Sequence, residues 1–266
     1  MKEHLVRIVE KLPPDQRKNV AREYLQARIL GFIQEKKGFS SWIFLGGTAL
    51  RFLYGIPRYS EDLDFSQAAT QEKPAFQEII EGIARSFRNE GYSADLKYSG
   101  RAPVSAAFIR YPGLPHELGF SAHPGEMLAV KIEVDGNPPA GGKTETTIVR
   151  RHLLLNILHY DRSTLLAGKL HAILCRPYFK GRDIYDLFWY LGDRSWPEPN
   201  LEYLNQALQQ THWEGAKLTT MNWKNEIAAR LSVIDWRQAI ADVRPFIERS
   251  EELELLTLPN LEKLLD

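Results

Sequence analysis

Two aspartates at alternate positions, Asp62 and Asp64, follow a glycine pair, Gly46-Gly47, in this chain. On an extended strand alternate residues share a face, so both carboxylates project together while Leu63 and Phe65 turn to the core. Like charges at that spacing repel. A hard divalent cation, Mg²⁺ or Mn²⁺, relieves the repulsion and draws in phosphate oxygens. The glycine pair ends the apolar run Ile43-Phe44-Leu45. Glycines at such a turn let backbone N–H groups approach an anion closely. Thr48 stands where a helix should begin, and its hydroxyl suits either phosphate or the cap of that helix. Arg58 and Ser60 flank the acids and offer a guanidinium and a hydroxyl to phosphate oxygens. A lone Gly-Gly is usually a turn and a lone Asp-x-Asp is usually surface. The order strand, glycine turn, short helix, acid-bearing strand is what makes the chemistry specific.

Two metals and an activated nucleophile call for about three acids in phosphoryl transfer. Glu133 is the natural third. It lies in Leu128-Ala129-Val130-Lys131-Ile132-Glu133-Val134-Asp135, where Val130, Ile132 and Val134 alternate with Lys131, Glu133 and Asp135. A strand beside the aspartate strand would bring that polar face to the same place. Asp135 is the rival for the role, and a plain solvated face is the simpler reading. Lys169 interrupts an apolar helical run, Leu165-Leu166-Ala167-Gly168-Lys169-Leu170, and a buried lysine needs a partner. Asp183 and Asp186 share a helical face downstream. Lys169 therefore either bridges to Asp183 or Asp186, or contacts a triphosphate while Asp183 orients it.

These residues need elements to hold them. The pattern predicts helices over 4–11 and 14–36, a strand over 41–47, a short helix over 47–55 and a second strand over 62–66. A helix opens at Lys73-Pro74 and runs to about 89, followed by a β-rich stretch over 93–136 and one or two strands over 145–159. From Asp161 the chain turns helical. Asp161 or Ser163 caps a helix that runs to Cys175, another spans 182–192, and three or four more follow. Their Trp, Leu and Ile residues read as the core of a helical bundle. The expected fold is α+β: a twisted mixed sheet with flanking helices in 1–160, then a helical C-terminal domain in 161–266 that contributes to the active-site cleft.

Composition narrows the function classes. Hydrophobic residues make up 44% of the 266, enough for a proper core. Lys plus Arg and Asp plus Glu both total 34, which argues against a purely electrostatic nucleic-acid binder. The single cysteine, Cys175, excludes an internal disulfide, fits a reducing cytoplasm and reads as core. No apolar run suits a bilayer span, and Met1-Lys2-Glu3-His4 lacks a signal pattern. The seven histidines make no zinc set. Nucleophile elbow, Walker loop and dinucleotide fingerprint are all lacking, which disfavours hydrolase, ATPase and dehydrogenase chemistry.

The glycine pair followed by Asp-x-Asp resembles the nucleotidyltransferase superfamily signature. Three blocks sharpen the likeness. They are Leu45-Gly46-Gly47-Thr48-Ala49-Leu50 with Arg58-x-Ser60-x-Asp62-Leu63-Asp64-Phe65, then Lys131-Ile132-Glu133, then Lys169-Leu170-His171-Ala172 with Arg182-Asp183-x-Tyr185-Asp186-Leu187. Together they resemble the AbiEii-type nucleotidyltransferase toxins of bacterial abortive-infection and toxin–antitoxin pairs, as does the helix Ala21-Arg22-Glu23-Tyr24-Leu25. The resemblance covers about residues 20–192. It implies transfer of a nucleoside monophosphate from an NTP to an acceptor, with Mg²⁺ or Mn²⁺ and with RNA such as a tRNA 3′ end as the expected acceptor. It implies a site of Gly46, Gly47, Ser60, Asp62, Asp64, Lys169 and Asp183, with Glu133 as third carboxylate, and a Lys169 that faces an open cleft. It also implies a cytoplasmic protein with a cognate antitoxin and no membrane. One departure stands out: Arg176-Pro177-Tyr178-Phe179-Lys180-Gly181 is bulkier than the small basic turn the family has there, and could shift Asp183 from Lys169.

Two other readings keep the same core. An antibiotic-type enzyme would modify a small molecule and would show acidic residues around a cationic acceptor. A degenerate interaction protein would fail to bind metal and NTP, and the intact Asp62 and Asp64 oppose it.

Overall fold

The computed structural model describes residues 2–69 and 75–265, and the Lys73-Pro74 helix start lies outside them. The chain divides into two compact units: 1–55, 59–137 and 146–159 in the first, 56–58, 138–145 and 160–266 in the second.

The first unit opens with α1 (Lys2–Glu10) and α2 (Pro14–Glu35). Proline suits the first turn of α2, where its missing N–H would have no partner. The chain continues through β1 (Trp42–Leu45), α3 (Gly46–Tyr54), β2 (Leu63–Gln67), α4 (Phe76–Asn89), β3 (Asp95–Tyr98), β4 (Val104–Pro112), α5 (Leu114–Glu117), β5 (Met127–Asp135), β6 (Thr144–Arg151) and β7 (Leu153–Tyr160). The seven strands form one sheet in the order β3-β4-β5-β2-β1-β7-β6. It is mixed: β2 runs antiparallel to β1 and parallel to β5, and β1 runs parallel to β7. The alternation in β5 buries Val130, Ile132 and Val134 as expected. Phe44 and Phe65, directly paired across β1 and β2, stack with ring centroids 5.3 Å apart, and Trp42 lies 5.6 Å from Phe65. Burial of each such ring contributes about 1.5–3 kcal/mol and locks the register of the two central strands.

The second unit is helical. Its elements are α6 (Arg162–Cys175), α7 (Gly181–Gly192), α8 (Leu201–Gln210), α9 (Trp223–Leu231), α10 (Trp236–Val243), α11 (Glu252–Leu255) and α12 (Leu258–Leu265). Asp161 caps α6 by accepting from the Thr164 backbone N–H at 2.8 Å, whereas the Ser163 hydroxyl donates to the Glu198 carbonyl. Five α-helices follow Gly192 among the described residues, more than the sequence pattern predicts. The excess comes from interruption, since α11 is a single turn. Trp223, Ile227, Leu231 and Leu261 are buried, so the apolar stripes are bundle core. Gly181 begins α7 against the Ala239 carbonyl of α10, where a side chain at 181 would collide with backbone.

Candidate functional site

The acid site of the first unit is built by strand register. Asp64 sits in β2 between two neighbours, paired with Leu45 of β1 on one side and Glu133 of β5 on the other. Parallel partners in register present their side chains on the same face, so Glu133 stands beside Asp64. Asp135 pairs with Ser66, one step further along that face, and its carboxylate accepts from the Asn137 N–H at 2.9 Å. Glu133, which the sequence put first, is thus the acid paired with Asp64, and Asp135 lies one step away. The Glu133 carboxylate meets Lys131 Nζ at 2.8 Å. Among the described residues no three Asp, Glu, His or Cys side chains converge on a point where a metal could sit.

The glycine turn meets the acid directly. Helix α3 starts at Gly46, the residue after β1, and Gly46 has φ of +80°. That conformation favours glycine. The Asp64 carboxylate also lies over its Cα, so any side chain at 46 would run into it. A carboxylate at the first turn of a helix is favoured by the unpaired amides and the dipole there.

Thr48 is fully buried in the first turn of α3, and its hydroxyl donates to the Asp62 carbonyl. It neither caps α3 nor faces outward for phosphate; Leu45 holds the cap position without a side-chain bond. Asp62 itself precedes the first residue of β2, so strand pairing does not fix it. The half-exposed Ser60 offers its carbonyl, and Glu61 offers its own, to the side-chain amide of Gln26 at 3.0 Å each. Arg22, also on α2, reaches Glu61 at 3.1 Å. Motif reading missed Gln26, and named Arg22 only within the block Ala21-Arg22-Glu23-Tyr24-Leu25, without a role. Their signal was there: polar residues inside the apolar run Val20–Ile33, on a helix buried nearly all round.

The second unit holds a different group. Arg58 belongs to it and is fully buried, with Nε 2.5 Å from Asp186 Oδ1 and Nη2 2.5 Å from Asp186 Oδ2. This two-pronged pair occupies the guanidinium that the sequence offered to phosphate. Lys169 is not open to a cleft either. Its ammonium lies 3.0 Å from Asp183 and 2.6 Å from Asp186, with the side chain 12% exposed. The sequence posed Asp183 or Asp186 as alternatives, and Lys169 takes both. Arg176 completes the group on Asp183. The bulky 176–181 link does not part Asp183 from Lys169. Phe179 within it lies under the Arg230 guanidinium, 4.3 Å from centroid to carbon. Burial works against the charges on Lys169 and Asp183, but their partners outweigh it. Asp186 and Asp183 hold the Lys169 ammonium above its ordinary range, and Lys169 and Arg176 hold the Asp183 carboxyl below its own.

Three of the histidines bond to other side chains: His159 to Thr147, His152 to Glu23, and His171 to Thr211. Cys175 shares the Thr211 hydroxyl at 3.3 Å. No described helix is long and apolar enough to cross a membrane.

The profile of the family described as "Nucleotidyl transferase AbiEii toxin, Type IV TA system" matches residues 28–266. No curated protein sequence is significantly similar to the chain. Among solved structures, the fold is similar to MenT4, nucleotidyltransferase toxin Rv2826c from Mycobacterium tuberculosis H37Rv, with a TM-score of 0.57 and 16% identity over 100% of this chain and 90% of that one. It is also similar to JHP933 from Helicobacter pylori, with a TM-score of 0.54 and 16% identity over 93% of this chain and 90% of that one.

Proposed function

This chain belongs to the AbiEii nucleotidyltransferase toxin family of type IV toxin–antitoxin systems, and from that premise we propose that it transfers a nucleoside monophosphate from an NTP to RNA, with Mg²⁺ or Mn²⁺ held by Asp62 and Asp64. One observation carries the reading: the Asp64 carboxylate lies on Gly46 at the start of α3, with Glu133 in register beside it. The donor set fits the metal, because Mg²⁺ is typically held by one or two carboxylates and completes its shell with substrate phosphates and water. Such a cation supplies neutralisation of the phosphate oxygens as charge builds on them.

The residues of the chain divide the remaining work. Gly46 and Gly47 leave room for phosphate oxygens against the amides of α3. Glu133 Oε accepts the proton of the acceptor hydroxyl. The acceptor oxygen bonds to the α-phosphorus, the bond from that phosphorus to the β-bridging oxygen breaks, and pyrophosphate leaves. Asp135, engaged with Asn137, takes no part. Arg58 and Lys169 enter as the cations that keep Asp183 and Asp186 buried. Thr48 acts by anchoring Asp62. The acceptor is RNA such as a tRNA 3′ end, in the cytoplasm, and a cognate antitoxin restrains the activity. Incubation with each α-labelled NTP, total cellular RNA and Mg²⁺ tests this. Label in RNA from one NTP is expected. Label only in small molecules, or none with any NTP, overturns it.

A further inference from the structure

Asp62 and Asp64 are fixed by different means. Asp64 is pinned by backbone pairing to β1 and β5. Asp62 stands before β2 begins, so its placement depends on whatever holds the 60–62 segment. Three consecutive carbonyls of that segment are gripped by buried side chains. The amide of Gln26 donates to Ser60 O and Glu61 O, each at 3.0 Å, and the Thr48 hydroxyl donates to Asp62 O. Gln26 is 1% exposed and Thr48 is 0% exposed. In extended chain successive carbonyls point to opposite sides. Here both Ser60 O and Glu61 O accept from one NH₂ group, which holds the backbone just before Asp62 outside the regular strand pattern. A carboxylic acid or a thioether at 26 could not make this fork, since it needs two N–H donors on one atom.

We infer that Gln26 is a positioning residue for Asp62: its forked amide fixes the two carbonyls that precede Asp62, aims the Asp62 carboxylate, and so governs how tightly the acid pair holds its divalent cation. The inference rests on the proposed role of Asp62 and Asp64. A residue that orients a metal ligand commonly changes metal affinity 10–100-fold.

The test is Mn²⁺ binding, read by electron paramagnetic resonance in the presence of the four NTPs and without RNA, alongside the melting temperature. Four proteins are compared: the unaltered chain, Gln26→Met, Asp62→Asn and Leu30→Val. Leu30 is fully buried on the same helix and serves as a control for lost stability alone. Gln26→Met is expected to weaken Mn²⁺ binding about tenfold or more, while Leu30→Val lowers the melting temperature and leaves Mn²⁺ binding unaltered. Gln26→Met behaving like Leu30→Val overturns the inference, with Asp62→Asn still losing Mn²⁺. If Asp62→Asn binds Mn²⁺ as the unaltered chain does, the ligand role of Asp62 fails and the role of Gln26 falls with it. Should Gln26→Met not fold, Gln26→Asn, with the same donors on a shorter stem, is read by the same criteria.

Discussion

Gly46 carries two constraints at once, a φ of +80° and a carboxylate packed on its Cα. Alanine there costs roughly 1–2 kcal/mol for the left-handed backbone alone. It must also push Asp64 aside, and a displacement of about 1 Å at a reacting centre can cost about 100-fold in rate. Gly46→Ala should therefore lose nearly all NMP transfer with a modest fall in melting temperature; near-normal transfer contradicts this. Lys169 makes the opposite case. Removing a cation from between two buried acids typically costs about 3–5 kcal/mol. Lys169→Met should drop the melting temperature by about 10 °C or more, with NTP affinity little altered in protein that remains folded. Unchanged melting with lost NTP binding would restore the phosphate role. The glycine turn and the acids stood out in the sequence through their order, a strand, a glycine turn, a short helix and an acid-bearing strand. The burial of Arg58 and Lys169 was not, because an arginine beside Asp-x-Asp looks the same whether it faces phosphate or pairs with an acid 128 residues away.

At the scale of elements, α2 is the brace of the first unit. Beyond Gln26 and Arg22 it carries Glu23, which meets Arg51 of α3 at 2.6 Å, Arg151 of β6 at 3.0 Å and His152 at 3.1 Å. Burial would raise the Glu23 carboxyl, but His152, Arg51 and Arg151 together pull it down to about 2. A lowered carboxyl contributes stability that is present above its ordinary value and lost as pH falls toward the folded one. Folding stability should thus decline by about 3 kcal/mol from this group as pH falls from about 5 to 2. Glu23→Gln should flatten that acid limb and lower the melting temperature at neutral pH, as measured by thermal melts across pH. An unaltered acid limb contradicts the assignment. Hydrophobic period revealed the alternating β5 from sequence because one of its faces is buried, whereas β1 showed as an apolar run and α2 as apolar residues at helical spacing on a helix buried nearly all round. Sheet order did not follow from the period, since strand neighbours are chosen by long-range packing. That order pairs Asp64 with Glu133 and Ser66 with Asp135.

At the scale of the molecule, the two units share out the charged groups. The first holds the acid pair, the glycine turn and Glu133; the second holds Arg58, Lys169, Asp183 and Asp186 in a closed set of ion pairs. The first and last family blocks were legible because each carries a specific run of residues, whereas Lys131-Ile132-Glu133 is a weak one. The C-terminal helices carried only core periodicity, which says that they pack and nothing of how often they break. Glu133→Gln should reduce the rate strongly with NTP affinity little changed, because a proton acceptor acts mostly in the transition state. Asp135→Asn should do much less, and the reverse order in steady-state rates would move the role to Asp135. The central claim is that Asp64 with Asp62 is the metal–nucleotide centre. Its most direct test is label transfer from α-labelled NTP to RNA by Asp64→Asn, measured beside its melting temperature. The account predicts transfer abolished in a protein that melts near the unaltered chain; full transfer by Asp64→Asn would contradict it.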